Sequence, residues 1–478
     1  MSVITFTPKD AYAVMNTLVH QATGDSSISV VDTSSFIDAG TKTLEAGYEN
    51  VYNALGVLIG TTIVAARPYQ GKFKLVAYAT ANAFENRIRK ISYYARDNQA
   101  SGAFNTDLYT NLGEGLNDES GTGSMWEQNP AIPVERYFYS SYVWDKSHTQ
   151  YIEQIKEAFT NETSFIDFIN GIMIEVQNDI ESTIEARNRM VVLDRIAGEY
   201  LMAGNGDIGK ECAVNLTAEF NKEFGTSYTT AQIEQSHLNE FCEFYVAYMK
   251  ILSDRLTNRT ALYHDPMTLV KNQGQANEKV YKVLRHTPKD KQKFVYYAPF
   301  FTKAKARVFP EIFNPQYLDF KNGEGVDYWQ SFNSPESIQI KPALPDGATS
   351  ADVKLNKVIG ILFDTDAIGA NNKFEGMYAT PVNARHLYTN MFWHYKYGVI
   401  QDYSENAVVL YMADEVSADF TGDGTAKTFT VSDKPAFITK VTVAGEEVDV
   451  TSYVPSTGVV TLASAPADDA AVKVYYEV

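Results

Sequence analysis

Apolar residues recur every three or four positions in four segments, the spacing of one helix face. Helices are predicted over Pro8 to Thr23, over residues 41 to 59 and over Thr230 to Leu256. The strongest pattern runs from Ser164 to Met202 without proline, and it predicts an amphipathic helix about 58 Å long with Ser164 as its N-cap. Such a helix is several times longer than usual, which indicates a structural strut.

Two shorter segments, 87–94 and 134–139, have the β-branched and aromatic composition of strands. A long polar, glycine-rich insert separates them. Together they predict an extended hairpin within residues 66–145 that cannot bury its own surface. The first 65 residues are also too short for a domain and are expected to be an arm that packs on something else.

The later part of the chain has mixed α+β texture, with a strand predicted at 357–363 and another at 407–411. The composition changes after residue 413. Residues 415–478 contain no Arg, His, Trp, Cys or Met and carry ten acids against four lysines. Short strands separated by turn residues predict a small β-sandwich-like module at 413–478, appended as a separate unit.

Composition and charge restrict the class of protein. The 478 residues carry a net charge of −18, which excludes a basic, phosphate-neutralising coat for nucleic acid. The two cysteines, Cys212 and Cys242, cannot form a disulfide framework and point to a reducing compartment. The N-terminus has no signal-peptide pattern, and the most apolar stretch, 54–66, is too short to span a bilayer. A soluble protein made in the cytoplasm is expected.

One glycine-rich segment, Gly204 to Lys210, matches both a dinucleotide fingerprint and the first seven positions of a phosphate-binding loop. Glu211 stands where the loop requires a Ser or Thr for Mg²⁺. Both motifs also need a strand before them, whereas this segment follows the predicted long helix. A glycine that ends the helix is the favoured interpretation.

A second segment has part of the spacing of a calcium-binding EF-hand loop, with Asp364, Asp366, Gly369 and Glu375 at the first, third, sixth and twelfth positions. The fifth position is Ile368, and the preceding segment is a predicted strand where a helix is required. A polar turn after a buried strand explains the pattern better.

The sequence offers no catalytic set. The seven histidines have no zinc-ligand spacing, and no nucleophile-elbow motif occurs. His237 and Cys242 lie five positions apart on one predicted helix, so they point to different faces. The protein is therefore expected not to be an enzyme and to use no metal or cofactor.

Positive charge concentrates between residues 279 and 307. This segment contains nine Lys and Arg residues and a single acid, Asp290, with aromatic residues interleaved among them. Three interpretations stay open: a nucleic-acid surface, a patch that meets acidic surface on a neighbouring copy, and a solvated face. The second is favoured, because the rest of the molecule is strongly acidic. The bases of this candidate intersubunit patch are Lys279, Lys282, Arg285, Lys289, Lys291, Lys293, Lys303, Lys305 and Arg307.

The order of arm, projecting hairpin, spine-like helix, α+β block and late return segment resembles the major capsid protein of tailed bacteriophages with the Hong Kong 97 fold, closest to small podovirus-type members. The most specific likeness lies in 383–390, 392–395 and 405–409, which resemble that family's closing segment; the stretch 360–367 is similar to the strand and turn that precede it. The residues that carry this likeness are Asn383, Arg385, His386, Tyr388, Asn390, His394, Glu405 and Asn406.

This resemblance implies a domain plan. It comprises an N-terminal arm at 1–65, an E-loop at 66–145, a peripheral domain at 146–203 with a return segment at 380–412, an axial domain at 204–379 and the appended β module.

The resemblance also implies a function: self-assembly into hexamers and pentamers of an icosahedral head that encloses double-stranded DNA without sequence-specific contact. The expected location is the virion, after assembly in the host cytoplasm. Portal, scaffold or decoration proteins are further expected partner classes, and membranes are not. A tail-tube or other phage structural protein is the alternative, although a long spine helix is unusual for a mostly β tube. A nucleotide-binding enzyme is a remote alternative that depends on Gly204 to Lys210 alone.

Overall fold

The computed structural model of the protein describes residues 8–24, 27–45, 71–77, 87–94, 132–139, 142–159, 162–204, 211–265, 269–271, 279–281, 283–307, 322–344 and 351–478. Within these ranges the helices are α1 Pro8–Thr23, α2 Thr33–Glu45, α3 Ile152–Ala158, α4 Glu162–Gly204, α5 Leu216–Phe224, α6 Thr230–Ser236, α7 Leu238–Leu256 and α8 Ala298–Arg307. The strands before residue 380 are β1 Arg87–Tyr94, β2 Ile132–Tyr139, β3 Tyr142–Tyr151, β4 Ala213–Asn215, β5 Leu269–Lys271, β6 Lys279–Tyr281, β7 Gln292–Tyr297, β8 Gly323–Val326, β9 Ile338–Ile340, β10 Val353–Leu355, β11 Val358–Asp364 and β12 Ile368–Ala379. The later strands are β13 Tyr388–Gln401, β14 Ala407–Tyr411, β15 Glu415–Thr421, β16 Thr428–Thr430, β17 Lys440–Val443, β18 Glu446–Val448, β19 Val450–Val454, β20 Val459–Leu462 and β21 Ala471–Glu477.

A five-stranded sheet with the order β4-β14-β11-β7-β8 lies in the largest hydrophobic core. Its three middle strands are antiparallel, while β4 and β8 pair parallel at the two edges. Every residue of β11 and β14 is buried, as expected for central strands rich in Val, Ile and Leu. Helices α5, α7 and α8 contribute side chains to this core.

A three-stranded antiparallel sheet with the order β12-β13-β3 borders a second core. Alternate residues of β13 are buried, so one face packs on α1 and α4 and the other remains partly accessible. The return segment expected at 380–412 is divided between the two sheets, because β13 lies here and β14 lies in the five-stranded sheet. Strand β12, within the expected axial range, also belongs to this three-stranded sheet.

The long helix predicted from the sequence is α4, which has 43 residues and is about 65 Å long. Val176 and Ile180 pack in the second core, whereas Val192 and Ile196 pack in the first. The helix therefore connects the two cores. It begins at Glu162, so Ser164 lies inside its first turn and is not the N-cap expected from the sequence.

Two other helix predictions need correction. The second helix begins at Thr33 rather than at residue 41, because a buried stripe of mostly small residues already starts at Phe36; residues 46–59 of that prediction lie outside the described residues. The helix predicted from Thr230 to Leu256 is two helices, interrupted at His237, whose φ of −119° leaves the helical range.

The turn between β11 and β12 decides the calcium-loop interpretation. Residues 365–367 join the two strands, with the Asp364 side chain accepting a hydrogen bond of 2.9 Å from the Asp366 backbone. Gly369 and Glu375 lie in β12. An EF-hand needs helices on both sides, so this segment is the polar turn that the sequence favoured.

The C-terminal module has its own core and two sheets, with the orders β15-β21-β17-β18 and β16-β20-β19. The expected fold class is therefore confirmed: an α+β part before residue 413, which we call the body, is followed by an all-β module. The short strands expected from the sequence are β16, β17, β20 and β21, and the structure adds β15, β18 and β19.

Candidate functional site

The predicted hairpin is formed by β1 and β2, which pair antiparallel from Arg87 opposite Tyr139 to Tyr94 opposite Ile132. The glycine-rich insert between them lies outside the described residues. In this register Lys90 stands directly opposite Arg136. Like charges in that position destabilise a strand pair unless something neutralises them.

These two bases form ion pairs with two carboxylates of the turn between β13 and β14. Lys90 Nζ lies 2.6 Å from Asp402 Oδ2 and 2.6 Å from Glu405 Oε1. Arg136 Nη1 donates to Asp402 Oδ1 at 2.8 Å. Because the Asp402 side chain is fully buried, this carboxylate is available to the hairpin rather than to bulk water.

A third base, Arg285, connects the same turn to β1. Its Nε lies 3.2 Å from Glu405 Oε1, and its Nη2 donates to Ser92 Oγ at 2.7 Å. It also donates to the Ser404 carbonyl at 3.2 Å. We call Asp402 and Glu405, with Lys90, Arg136 and Arg285, the hairpin anchor.

The charges of the anchor determine how its carboxyls titrate. Burial alone would raise the pKa of Asp402, but Lys90, Ser404 and Arg136 outweigh it and lower the pKa to about 2. For Glu405, burial prevails over Lys90 and Arg285, and its pKa is raised. Asp402 therefore stays ionised to lower pH than Glu405 does.

Buried groups of the body hold the backbone of the turn between β13 and β14 in place. Arg195 of α4 is completely buried, donates to the carbonyls of Ala367 at 3.2 Å and Glu405 at 3.1 Å, and lies 4.3 Å over the Tyr403 ring. It also forms a buried ion pair with Glu199. These contacts fix the backbone from which the two anchor carboxylates project.

Asn406 closes the other side of the turn. His264 Nδ1 lies 2.9 Å from Asn406 Oδ1 and its Nε2 lies 2.8 Å from the Val283 carbonyl oxygen, and burial lowers the pKa of this histidine. Asn406 Nδ2 donates to Thr287 Oγ1 at 3.1 Å. The turn is therefore held by hydrogen bonds from three separate parts of the body.

A second anchor lies at the entry to the hairpin region, in residues 71–77, which we call the strap. The backbone N–H groups of Lys74 and Leu75 donate to the two oxygens of Glu324 at 3.0 and 2.9 Å. Lys293 Nζ donates to the Leu75 carbonyl at 2.6 Å, and burial lowers the pKa of this lysine. One carboxylate and one ammonium thus bind the strap backbone directly.

Helix α4 holds the other end of the strap. The N–H groups of Gly71 and Lys72 donate to Glu181 at 3.2 Å and to Glu185 at 3.1 Å. Phe73 lies between the part of the strap held by α4 and the part held by Glu324. It is fully buried, and its φ of +59° is a conformation that costs free energy for a residue with a side chain. Its burial in the main core offsets that cost.

The residues of the predicted closing segment lie in two places. Glu405 and Asn406 belong to the turn of the hairpin anchor, whereas the other members lie on or before β13. Asn383 Oδ1 accepts the backbone N–H groups of Arg385 and His386 at 3.1 Å each, which makes a local turn. The further contacts are Asn390 Oδ1 with Thr149 Oγ1 at 2.7 Å, His394 with the Tyr378 ring at 5.5 Å, and Tyr388 with the Tyr151 ring at 6.0 Å.

The predicted basic patch is also divided. Arg285 belongs to the hairpin anchor, Lys293 binds the strap, and Lys289 pairs with Asp254. Lys291 and Lys303 have exposed side chains. Lys279 lies in β6, and Lys305 and Arg307 lie in α8; only their backbone is described, and Lys282 lies outside the described residues.

Residues from both sequence segments considered for enzyme chemistry lie among the described residues. Gly204 is the last residue of α4, so a helix precedes the glycine-rich segment, whose residues 205–210 lie outside the described part. His237 stacks on Tyr228 at 4.2 Å, whereas Cys242 is buried. Among the described residues no cluster of three or more His, Cys, Asp or Glu could hold a metal ion, and no described helix is long and apolar enough to cross a membrane.

Sequence reasoning missed Lys90, Arg136, Asp402 and Arg195. The available signal was the presence of bases in both strands of a hairpin in an acidic protein, together with two acids in a short turn after a predicted strand. That signal does not identify the pairing, because Lys90 and Glu405 are separated by 315 positions.

Comparisons with known proteins give one family. The model of the Phi29-like phage major capsid protein matches residues 15–411. No curated protein sequence matches the chain significantly.

Solved capsid structures show a distant overall likeness. The capsid of Staphylococcus phage Andhra is 10% identical with a TM-score of 0.43, over 72% of this chain and 84% of that one. The capsid of cyanophage P-SCSP1u is 9% identical with a TM-score of 0.38, over 72% and 89%. The capsid of Helicobacter pylori bacteriophage KHP30 is 11% identical with a TM-score of 0.36, over 73% and 92%.

Proposed function

Because this chain belongs to the Phi29-like phage major capsid protein family, we propose that it assembles with copies of itself into hexamers and pentamers of an icosahedral head around double-stranded DNA. The match over residues 15–411 carries this proposal. It confirms the expected relationship to tailed-phage major capsid proteins, and with it a structural, capsid role. The α+β body with a C-terminal all-β module agrees with the expected Hong Kong 97-type fold.

The hairpin anchor supports a role in assembly. A two-stranded hairpin is marginally stable alone and needs packing partners. Here the body holds the base of the hairpin at Asp402 and Glu405 and its entry at the strap, while Ile91 and Tyr137 remain 43% and 37% exposed. In the proposed head the anchored hairpin is the E-loop, and neighbouring subunits supply the rest of its cover.

The domain plan follows the sheets. We assign the five-stranded sheet with α5, α7 and α8 to the axial domain, and the three-stranded sheet with α1, α2 and part of α4 to the peripheral domain. Strand β12 then joins the peripheral domain and β14 the axial domain, and α1 and α2 join the peripheral domain instead of the separate N-terminal arm. This proposal changes the boundaries expected from the sequence. Helix α4 is the spine that both share.

The charge distribution supports weak contact with packaged DNA. The chain has a net charge of −18, and three of the bases between 279 and 307 have acidic or carbonyl partners within the subunit. The exposed bases Lys291 and Lys303 are proposed to meet acidic surface on a neighbouring copy. Assembly in the host cytoplasm and location in the virion wall follow from the same proposal, with portal, scaffold or decoration proteins as further partner classes.

Electron microscopy of the purified recombinant protein tests the proposal. Closed shells, hexamers or pentamers support it. Tubes would favour the tail-tube alternative instead, and a stable monomer that turns over nucleotide would contradict both.

A separate measurement tests the DNA contact. The protein is expected not to retain double-stranded DNA at about 0.15 M salt, where exposed charges are screened beyond about 8 Å. Retention in an electrophoretic mobility assay would contradict weak contact without contradicting the shell.

A further inference from the structure

The body has a surface that fits the C-terminal module. It is made by the last turn of α4, by Asn215 at the end of β4 and by Tyr411 at the end of β14. The family match ends at residue 411 and the module begins at β15, so this surface lies where the matched part of the chain meets the appended part.

One carboxylate of the module gathers three donors of the body. Glu477 Oε1 accepts a hydrogen bond from Asn215 Nδ2 at 2.8 Å, and Oε2 accepts from the hydroxyls of Tyr411 at 2.7 Å and Tyr200 at 3.4 Å. Burial raises the pKa of both tyrosines well above the ordinary value, so both hydroxyls remain protonated donors. Hydrogen bonds to an ionised acceptor are stronger than neutral ones.

An aromatic contact lies beside this carboxylate. The Phe437 ring of the module lies 4.7 Å from the Tyr200 ring and, with Ala436, packs against the main core of the body. A Cβ atom at Gly204 would lie 2.2 Å from Phe437 Cδ1. Glycine at the end of α4 therefore leaves space for the module, which gives Gly204 a role unrelated to a phosphate loop.

The connecting residues are fixed as well. Asn215 Nδ2 donates to the Ala413 carbonyl at 3.1 Å, and Asn215 Oδ1 accepts the Ala413 N–H at 3.3 Å. Asp414 Oδ1 accepts the N–H of Thr230, the first residue of α6, at 2.6 Å. A flexible tether would leave these groups to water.

We propose that the surface formed by Tyr200, Gly204, Asn215 and Tyr411 is a docking site for the chain's own module. The module is held in one orientation, and it braces the C-terminal end of the long helix against the five-stranded sheet. The module is thus a rigid part of the subunit rather than a tethered appendage. The proposal does not depend on the capsid role.

A substitution cycle on the unassembled full-length subunit tests the fit at Gly204. In G204A the added methyl group is expected to displace Phe437 and to speed hydrogen exchange of residues 412–415 by about tenfold. Combined with F437A, which removes the ring, G204A is expected to have little further effect. An equal effect of G204A with and without the ring would mean that only the helix end is disturbed, and would overturn the proposal.

A second test uses the carboxylate. E477Q keeps the volume but weakens the three hydrogen bonds, and E447Q on β18 is the matched control with an exposed side chain. In calorimetry, the unchanged protein and E447Q are expected to unfold body and module in one transition, whereas E477Q is expected to show two. Two transitions in the unchanged protein, or identical behaviour of both variants, would overturn the proposal even if shells form normally.

Discussion

Lys90 and Arg136 illustrate how single residues connect the hairpin to the body. Two bases face each other across β1 and β2, an arrangement that repels unless anions lie nearby. Asp402 contacts both bases, and Glu405 contacts Lys90 as well as Arg285. The pairing of hairpin and body therefore depends most on the buried carboxylate of Asp402.

The substitution D402N is expected to lower the free energy of unfolding by about 2–4 kcal/mol, because it leaves two cations without their shared anion. The value is not higher because Lys90 and Arg136 are partly exposed and regain water. Denaturant unfolding measures the change. The control D419N alters an exposed carboxylate 3.8 Å from Lys473 and is expected to change stability by less than about 0.5 kcal/mol. Similar losses in both variants would contradict the anchor.

The same residue predicts a pH dependence. The pKa of folded Asp402, about 2, lies below the ordinary value of 3.8, so between these values the unfolded chain binds more protons than the folded one. The stabilisation by Asp402 is therefore complete above about pH 4 and is lost as the pH falls toward about 2. The stability difference between the unchanged protein and D402N should shrink over this range, and a constant difference would be contrary to expectation.

At the scale of elements, the strap is a short segment whose regular structure is one 3-10 turn at Lys74–Val76. Its backbone is held largely by side chains: four of its N–H groups donate to carboxylates, and Glu324 accepts two of these four. A segment held in this way can open locally. Its stability should respond to a single carboxylate.

For E324Q we expect a loss of about 1–2 kcal/mol in unfolding free energy and faster hydrogen exchange at Leu75, because an amide accepts backbone hydrogen bonds more weakly than a carboxylate. Hydrogen exchange with mass spectrometry follows the strap directly. E157Q, at an exposed position on α3, is the matched control and should leave the strap unchanged. Unaltered exchange in E324Q would show that the strap does not rely on this carboxylate.

Elements with strong local patterns could be predicted from the sequence, and contacts between distant residues could not. The long helix was predicted to within two residues at each end because its apolar spacing continues without proline. The break at His237 was missed because the apolar pattern continues through it, and α2 was misplaced because its buried stripe contains Ala39, Gly40 and Thr43. Glu405 and Arg285 were selected for other reasons, and their contact depends on the fold of the whole chain.

At the scale of the whole molecule, the exposed bases predict how copies meet. In K291E/K303E the proposed pairing with a neighbour is reversed, so the assembled fraction should fall at least about twofold. K341E/K354E changes the net charge equally at other exposed positions and should assemble normally. Sedimentation measures the assembled fraction of both variants, and thermal unfolding verifies that their subunits are folded. Equal effects would mean that general charge matters and that the patch has no specific partner.

The long sequence separations of the hairpin contacts also determine when these contacts can form during synthesis of the chain. Lys90 can pair with Glu405 only after a further 315 residues have been made, and Arg136 can pair with Asp402 only after a further 266. At about 5–20 residues per second, the ribosome takes roughly 15–60 seconds to supply the missing acids. Until then the opposed bases disfavour closure of the hairpin at its base. A nascent subunit can therefore complete this element only after residue 405 of its 478 residues has been made, when the C-terminal module is still to follow.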